Sequence, residues 1–527
     1  MKPVLRRIFI FKEIRFYSGS LQYYFLFRKG KSIMKTLAFN PYLPAWEFVP
    51  DGEPHVFDGR VYIFGSHDKR NGVSFCEEDY VVWSAPVDDL GAWKYEGVSY
   101  RKEQDPLNGA AYDGVLPKID MPLKTAEHPH LLYAPDVAKG PDGRYYLYYS
   151  LDFTNIVSVA VSDKPAGPYE FLDYVRTEDG EVPNVGRWFD PAILSEESGN
   201  YLYYGFAPTF RFPGMEGIIF PGAMMVKLAD DMHTIISDPV CVANGVDTAK
   251  GTGYEEHPFF EASSVRKIGD WYYFVYSSLQ GNELCYGMAK TPEGPFEYKG
   301  VIISNGDIGY KENELAVNYM GNNHGGLVEI EDKVYIFGHR HTHGTQFCRQ
   351  GTAEEVKIGE DGTIAQVEVT SCGLNSGPLP ARGEYLAYIA CHLTEKDRKN
   401  VKNAVLVNPG ETVPVLPKEM PYITEEESEN DEKGLKPYIA NLLEGSVAGF
   451  KYFEFDGDEK KIILELRGKG KLQVSIDNPE GERIATVSCS DNTWEKVVSK
   501  LAKVKGEHAL YMKVAEGKID FAKFIIE

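Results

Sequence analysis

Short aromatic runs, each entered through a tight turn, punctuate most of the chain. A turn built from Gly with an acid leads into a strand-like run in Asp58-Gly59-Arg60-Val61-Tyr62-Ile63-Phe64 and again in Asp142-Gly143-Arg144-Tyr145-Tyr146-Leu147-Tyr148. The pattern returns in Ser198-Gly199-Asn200-Tyr201-Leu202-Tyr203-Tyr204, in Ile268-Gly269-Asp270-Trp271-Tyr272-Tyr273-Phe274 and in Glu331-Asp332-Lys333-Val334-Tyr335-Ile336-Phe337. With Tyr62, Tyr146, Leu202, Tyr273 and Tyr335 taken as equivalent, the steps are 84, 56, 71 and 62 residues. Each interval suits a four-stranded blade with loops of varying length. The repetition therefore predicts an all-β chain built on a five-bladed β-propeller, against the alternative of a β-sandwich with recurring hairpins.

The hairpin pattern stops after Thr370, and Pro378, Pro380 and Gly383 mark a boundary. The propeller is expected over 34–373 and a connecting segment over 374–435. That segment carries Pro409, Pro414, Pro417 and Pro421, then an acidic run from Glu425 to Glu432 that reads as a solvated loop. From 436 to 527 strand alternation resumes, as in Lys461-Ile462-Ile463-Leu464-Glu465-Leu466, and predicts a small β-sandwich.

Residues 1–33 are compositionally foreign. They hold eight basic residues against Glu13, a charge of +7 in a chain of net −22, and charges interrupt any apolar stretch. They are expected to be a non-native extension preceding a start at Met34, the alternative being a basic membrane-surface arm.

Charge and composition narrow the function. Lys plus Arg is 56 against 78 Asp plus Glu, so a phosphate backbone is repelled and no nucleic-acid partner is expected. No apolar run approaches the ~20 residues of a membrane span, so no membrane partner is expected either. The seven cysteines form no CxxC pair, which fits a reducing compartment and a cytoplasmic location. Aromatics at 13%, with 34 Tyr, favour strands and supply rings that stack on sugars, so the expected partner is an oligosaccharide substrate. Oligomeric state is left open.

Candidate chemistry emerges on reading back from the hairpins. Asp51, Asp136, Asp190, Glu261 and His324 lie 11, 10, 12, 12 and 11 residues before the five equivalent positions. Residues at the start of a propeller's innermost strands surround its axis, so four carboxylates and a histidine would meet at one end of the channel. Singly, each Asp is as well explained as a turn residue. Together they form a set suited to acid/base work, in which repulsion and poor solvation separate the pKa values.

At these residues the sequence resembles glycoside hydrolase family 43, five-bladed propeller enzymes that release arabinose or xylose by inversion. Asn40-Pro41-Tyr42-Leu43-Pro44 leading to Asp51 is similar to the family's opening blade, which implies that Asp51 is the general base. Glu53 is its close competitor. Ala134-Pro135-Asp136 resembles a segment lining the sugar pocket. Phe189-Asp190-Pro191-Ala192 resembles the motif whose Asp raises the pKa of the acid and orients it. If Asp190 acts by charge, Asp190→Asn moves the alkaline limb of the pH profile to lower pH. Phe259-Phe260-Glu261-Ala262 resembles the segment of the general acid, and Asn323-His324-Gly325 that of an axial histidine. The resemblance implies an axial role for His324, with or without a structural calcium ion, and no required cofactor.

The implied activity is an inverting exo-glycosidase acting on terminal α-L-arabinofuranosyl or β-D-xylosyl residues of plant-derived oligosaccharides. Alternatives are an endo-arabinanase or galactan-directed hydrolase on the same scaffold, and a sugar-binding propeller without catalysis. Exo action suits a cytoplasmic enzyme, which meets imported oligosaccharides. Trp188 and Phe260 are candidates for stacking on sugar or for the core. Arg340 and Arg349 fall where the resemblance places a sugar-contacting arginine. His339, His341 and His343 would share a strand face, an incomplete metal set better read as polar rim. The C-terminal unit resembles a family 6 carbohydrate-binding module through Leu472 to Asp477, Trp494, Gly506 to Met512 and Asp520 to Phe524, with Trp494 read as a core ring.

Overall fold

The computed structural model describes residues 23–28, 31–117, 129–183, 187–209, 217–397 and 420–527. Most of the 1–33 extension lies outside this set. Within it, Tyr23–Arg28 pairs antiparallel with Lys31–Thr36.

Five sheets, antiparallel except for one two-residue parallel pair in the third, follow one another along the chain as the blades of a propeller. The first runs Glu53–Phe57, Arg60–Phe64, Tyr80–Pro86, Lys94–Tyr100 in hydrogen-bonded order. The second starts at Asp136–Lys139, the third at Ala192–Glu196 and the fourth at Phe259–Ile268. The third carries two extra two-residue strands, Arg176–Thr177 and Thr234–Ile235. The first hairpin turns through Asp58 and Gly59, both in the left-handed region (φ 49° and 75°), as a two-residue turn matched to strand twist requires.

The fifth blade has three described strands, Leu327–Ile330, Lys333–His341 and Arg349–Val356. Its outer edge is covered from the other end of the ring. Asn40 donates to Ala353 O and accepts from Ala353 N, and Tyr42 N donates to Gly351 O. A parallel bridge from Gly52 to Gly325 joins the starts of blades one and five. The ring is thus closed by a segment that precedes the first hairpin.

Burial on both faces explains the aromatic runs. In Tyr145–Ser150, the side chains of Tyr145, Leu147 and Tyr149 enter the core shared with blade one, while Tyr146 and Tyr148 enter the core shared with blade three. A strand with no solvent face reads as a near-continuous apolar run.

The C-terminal unit is a ten-stranded, mostly antiparallel assembly around Gly506–Ile526, which pairs with Lys461–Ile476, Val447–Phe455 and Leu435–Leu443. Strands from the expected connecting segment join it: Leu379–Pro380, Gly383–Leu386, His392–Thr394 and Tyr422–Glu427. The acidic run is therefore part strand, and Glu425 is buried. Such short pieces carry too few residues for their alternation to stand out. Trp494 is half-buried at an edge, with the guanidinium of Arg467 4.4 Å and the ammonium of Lys436 4.6 Å from its ring and Nε1 donating to Glu426. The unit is fastened to the propeller by Lys451, whose Nζ lies 2.7 Å from Glu368 and 3.7 Å from Asp307.

Candidate active site

Four of the five blades bring a polar side chain together where the innermost strand begins: Asp51, Asp190, Glu261 and His324. Asp51 precedes the first such strand with φ +56°, and Asp190 precedes the third with φ +45°. These left-handed positions, uncommon outside Gly, re-aim each carboxylate just before the strand begins. His324 lies between Asp190 and Glu53: its Nδ1 is 3.7 Å from Asp190 Oδ2, and its Nε2 is 3.8 Å from Glu53 Oε1.

Asp51 is held as an anion. Arg349 Nη1 donates to its Oδ1 at 2.9 Å, while the same guanidinium forks onto Asp68 through Nε and Nη2 at 2.8 and 2.9 Å. His339 accepts from Asp51 N through Nδ1 and meets Asn322 O through Nε2, which places its proton on Nε2. Burial pushes the Asp51 carboxyl up, but Arg349, then His339 and His324, outweigh it and bring its pKa below the ordinary carboxylate value. Burial pushes the His339 pKa well below the ordinary imidazole value.

Glu261 is in the opposite state. It lies in blade four, partly open to solvent, and its pKa is pushed up to about 8, first by desolvation and then by the negative charge of Asp51. Asp190 is also pushed well above its ordinary value, by burial first and then by Glu261 and Asp51. Its Oδ2 accepts from Ala262 N at 3.0 Å, next in sequence to Glu261. The negative charge opposing ionisation of Glu261 is thus that of Asp51.

Other expected residues fall elsewhere. Asp136 is wholly buried beneath the site, spent on His55 Nε2 at 2.6 Å and on the backbone amides of Ile193 and Val137. It ties blades together and does not line a sugar pocket. Trp188 is core, its ring stacked 3.8 Å from that of Tyr204. Arg340 is buried and donates to Ala390 O and Tyr388 O at the join with the C-terminal unit, so it faces no sugar. Arg349 is at the site but engaged by two carboxylates. Phe260 is half-buried and belongs to an aromatic wall with Tyr133, Phe189 and Phe206, successive ring centroids being 5.1 to 5.8 Å apart. His339 and His341 are buried, not rim, and both point Nε2 at Asn322 O, while His343 turns away.

The sequence reading missed Asp68, the partnership of His339 with Asp51, and the wall. Only the wall left a trace: Phe189 and Phe260 each directly precede a site carboxyl.

Calcium takes six to eight oxygens. Near His324 the buried carboxylate oxygen without a hydrogen-bond partner is Glu53 Oε1, and Arg266 already sits 2.7 Å from Glu53 Oε2 and 4.0 Å from Asp136. Among the described residues these do not make a calcium cage. His257, Glu283 and Cys285 also cluster, but Glu283 Oε1 already accepts from His257, Ser278 and Cys285.

A five-bladed propeller that gathers an ionised and a protonated carboxyl at one end of its axis is the arrangement of a hydrolase of glycosidic bonds. The sequence profile of Glycosyl hydrolases family 43 matches residues 114–364. A "Xylosidase/arabinosidase" of Thermoclostridium stercorarium is 47% identical over 491 residues, covering 91% of this chain and 96% of that protein. A "Xylosidase/arabinosidase" of Bacteroides ovatus is 30% identical over 357 residues, 62% of this chain and 97% of its own. Among solved structures, a family 43 β-xylosidase/α-arabinofuranosidase from a compost microbial metagenome aligns with a TM-score of 0.47 and 25% identity, over 62% of this chain and 96% of that one. The chain belongs to glycosyl hydrolase family 43 and is a glycoside hydrolase.

Proposed function

We propose that the enzyme is an inverting, exo-acting glycosidase that removes terminal α-L-arabinofuranosyl or β-D-xylosyl residues from plant-derived oligosaccharides. The observation that carries the acid/base assignment is the opposite protonation of two carboxyls on non-adjacent blades: Asp51 held ionised by Arg349 and Glu261 held protonated by desolvation and by the Asp51 charge; inversion and exo action follow from the family resemblance. The substrate class follows the names of the relatives. Asp51 takes a proton from water as it attacks the anomeric carbon, and Glu261 gives its proton to the departing oxygen. Glu53, pushed up to about 8 by burial, holds its own proton at neutral pH and is no rival base. Asp190 orients the acid through Ala262 N. The C-terminal unit serves as a buttress, since the face of Trp494 is covered by Arg467 and Lys436.

The test is stereochemical. Proton NMR of the first-formed sugar, on a pentoside chosen from a nitrophenyl panel with galactosides as controls, is expected to show the anomer opposite to the substrate's. Retention would require a covalent intermediate and a different pairing of carboxyls.

A pH profile tests the assignments. The base must be ionised and its pKa is depressed, so kcat/KM is expected to persist below the ordinary carboxylate range. The acid must be protonated, so kcat/KM is expected to fall with a midpoint near pH 8. Because the charges acting on Glu261 are those of Asp51 and Arg349 and not that of Asp190, Asp190→Asn is expected to leave the alkaline limb in place. Movement of that limb to lower pH would restore a charge role for Asp190.

A further inference from the structure

A single carboxylate of the C-terminal unit holds two loops of the propeller at once. Glu425 lies on the edge strand Tyr422–Glu427, opposite Pro437, with its side chain 3% exposed. Its Oε1 accepts from Arg70 Nε, and Arg70 Nη2 donates to Glu425 O at 3.2 Å. Its Oε2 lies 2.7 Å from Nε2 of His343, off the line of a hydrogen bond but in Coulombic contact when the imidazole is protonated. The backbone N of His343 donates to Ile423 O at 2.7 Å, so the strand also grips this loop through its main chain. A buried carboxylate needs such partners, and two of them come from distant parts of the propeller.

Those two loops shape the site. Arg70 lies two residues after Asp68, in the segment between the second and third strands of blade one. Cys76 N closes that segment back onto Asp68 Oδ1 at 2.9 Å. His343 lies in the turn between His341 and Arg349, where Thr342 donates twice to Cys348 O. The loops touch each other through Cys348 Sγ and Lys69 O at 3.3 Å and through the edge-to-face rings of Phe75 and Phe347. Their inner ends are Asp68 and Arg349, the pair that aims a guanidinium at Asp51.

We propose that Glu425 is a positioning residue for catalysis, fixing the spacing of the Arg70 and His343 loops and through it the hold of Arg349 on Asp51. This rests on the reading of Asp51 as the base.

The test uses the full chain and the pH dependence of kcat/KM. The groups facing Asp51 are Arg349, His339, His324 and Ser66, and the Asp51 charge in turn raises the pKa of Glu261, Asp190 and Asp68. If Glu425 only contributed charge, Glu425→Gln would remove a negative group and move the acid limb to lower pH. If it positions Arg349, the same change loosens the Arg349 to Asp51 contact, and the acid limb moves to higher pH.

The expected result is the upward movement, with kcat reduced about ten- to a hundredfold and KM changed far less, as small misplacements of catalytic groups produce. Arg70→Gln, which removes one arm from a side chain that is 34% exposed, is expected to move the limb in the same direction by less. The double variant is expected to be no worse than Glu425→Gln alone, because both act through one linkage. An acid limb that stays or moves down, or a lowered melting temperature with unchanged kinetics, overturns the proposal. Should Glu425→Gln fail to fold, Arg70→Gln decides by the same limb. An active Asp51→Asn enzyme would instead overturn the base assignment, which separates the two failures.

Discussion

Glu261→Gln is expected to cut turnover of arabino- and xylo-oligosaccharides by about 10³- to 10⁴-fold while costing nitrophenyl glycosides far less. A sugar alkoxide is a poor leaving group and needs the proton that Glu261 carries at neutral pH, where its raised pKa keeps it protonated. A nitrophenolate departs with little assistance. Asp51→Asn is expected to harm both substrate classes alike, because activation of water is required whichever group leaves. Exogenous azide or formate should restore neither variant to full rate on oligosaccharides. Equal losses on both substrates for Glu261→Gln would place the acid elsewhere, and in that case Asp190, hydrogen-bonded to the same backbone turn, becomes the group to test.

Arg349→Met is expected to cost about 3 to 5 kcal/mol of stability, since it strands two buried carboxylates that a single guanidinium now neutralises. The acid limb of kcat/KM should move up as well. Without Arg349 the largest influence lowering the Asp51 pKa is gone, and burial drives it upward. Arg349→Lys is expected to rescue little, because an ammonium cannot fork onto Asp68 and reach Asp51 together. Thermal melting and a pH profile of the residual activity measure the two effects. A stable Arg349→Met variant with an unmoved acid limb would show that the guanidinium is not what keeps Asp51 ionised.

Much of the propeller is legible in the sequence, for a local reason. A strand buried on both faces must spend apolar residues at successive positions, so Tyr145-Tyr146-Leu147-Tyr148-Tyr149 announces a hairpin by itself. The approach to each hairpin is local too, and Asp51, Asp190, Glu261 and His324 could be picked out by their constant offset from it. What the offset did not carry was orientation. Asp136 has nearly the spacing of the others, 10 residues against 11 or 12, yet turns beneath the site toward His55 and Ile193, and Trp188 turns into the core, because neighbouring blades and not local sequence decide which way a side chain near a strand start is covered.

The remaining features depend on contacts between residues hundreds of positions apart. Arg349 meets Asp51 and Asp68 across 298 and 281 residues, and Arg70 meets Glu425 across 355. No periodicity links such positions, and an acidic run such as Glu425 to Glu432 looks the same whether it is solvated or, at one residue, buried against a guanidinium. The chain alone thus determined its repeats, its strands and the residue types around the axis, since these follow from short-range burial and turn geometry. Closure of the ring brought residues 40–42 onto blade five, Arg349 onto Asp51 and Glu425 onto two loops. Tertiary structure alone decided which carboxyl is ionised and which keeps its proton, because pKa values are set by desolvation and by charges that only the folded chain brings together.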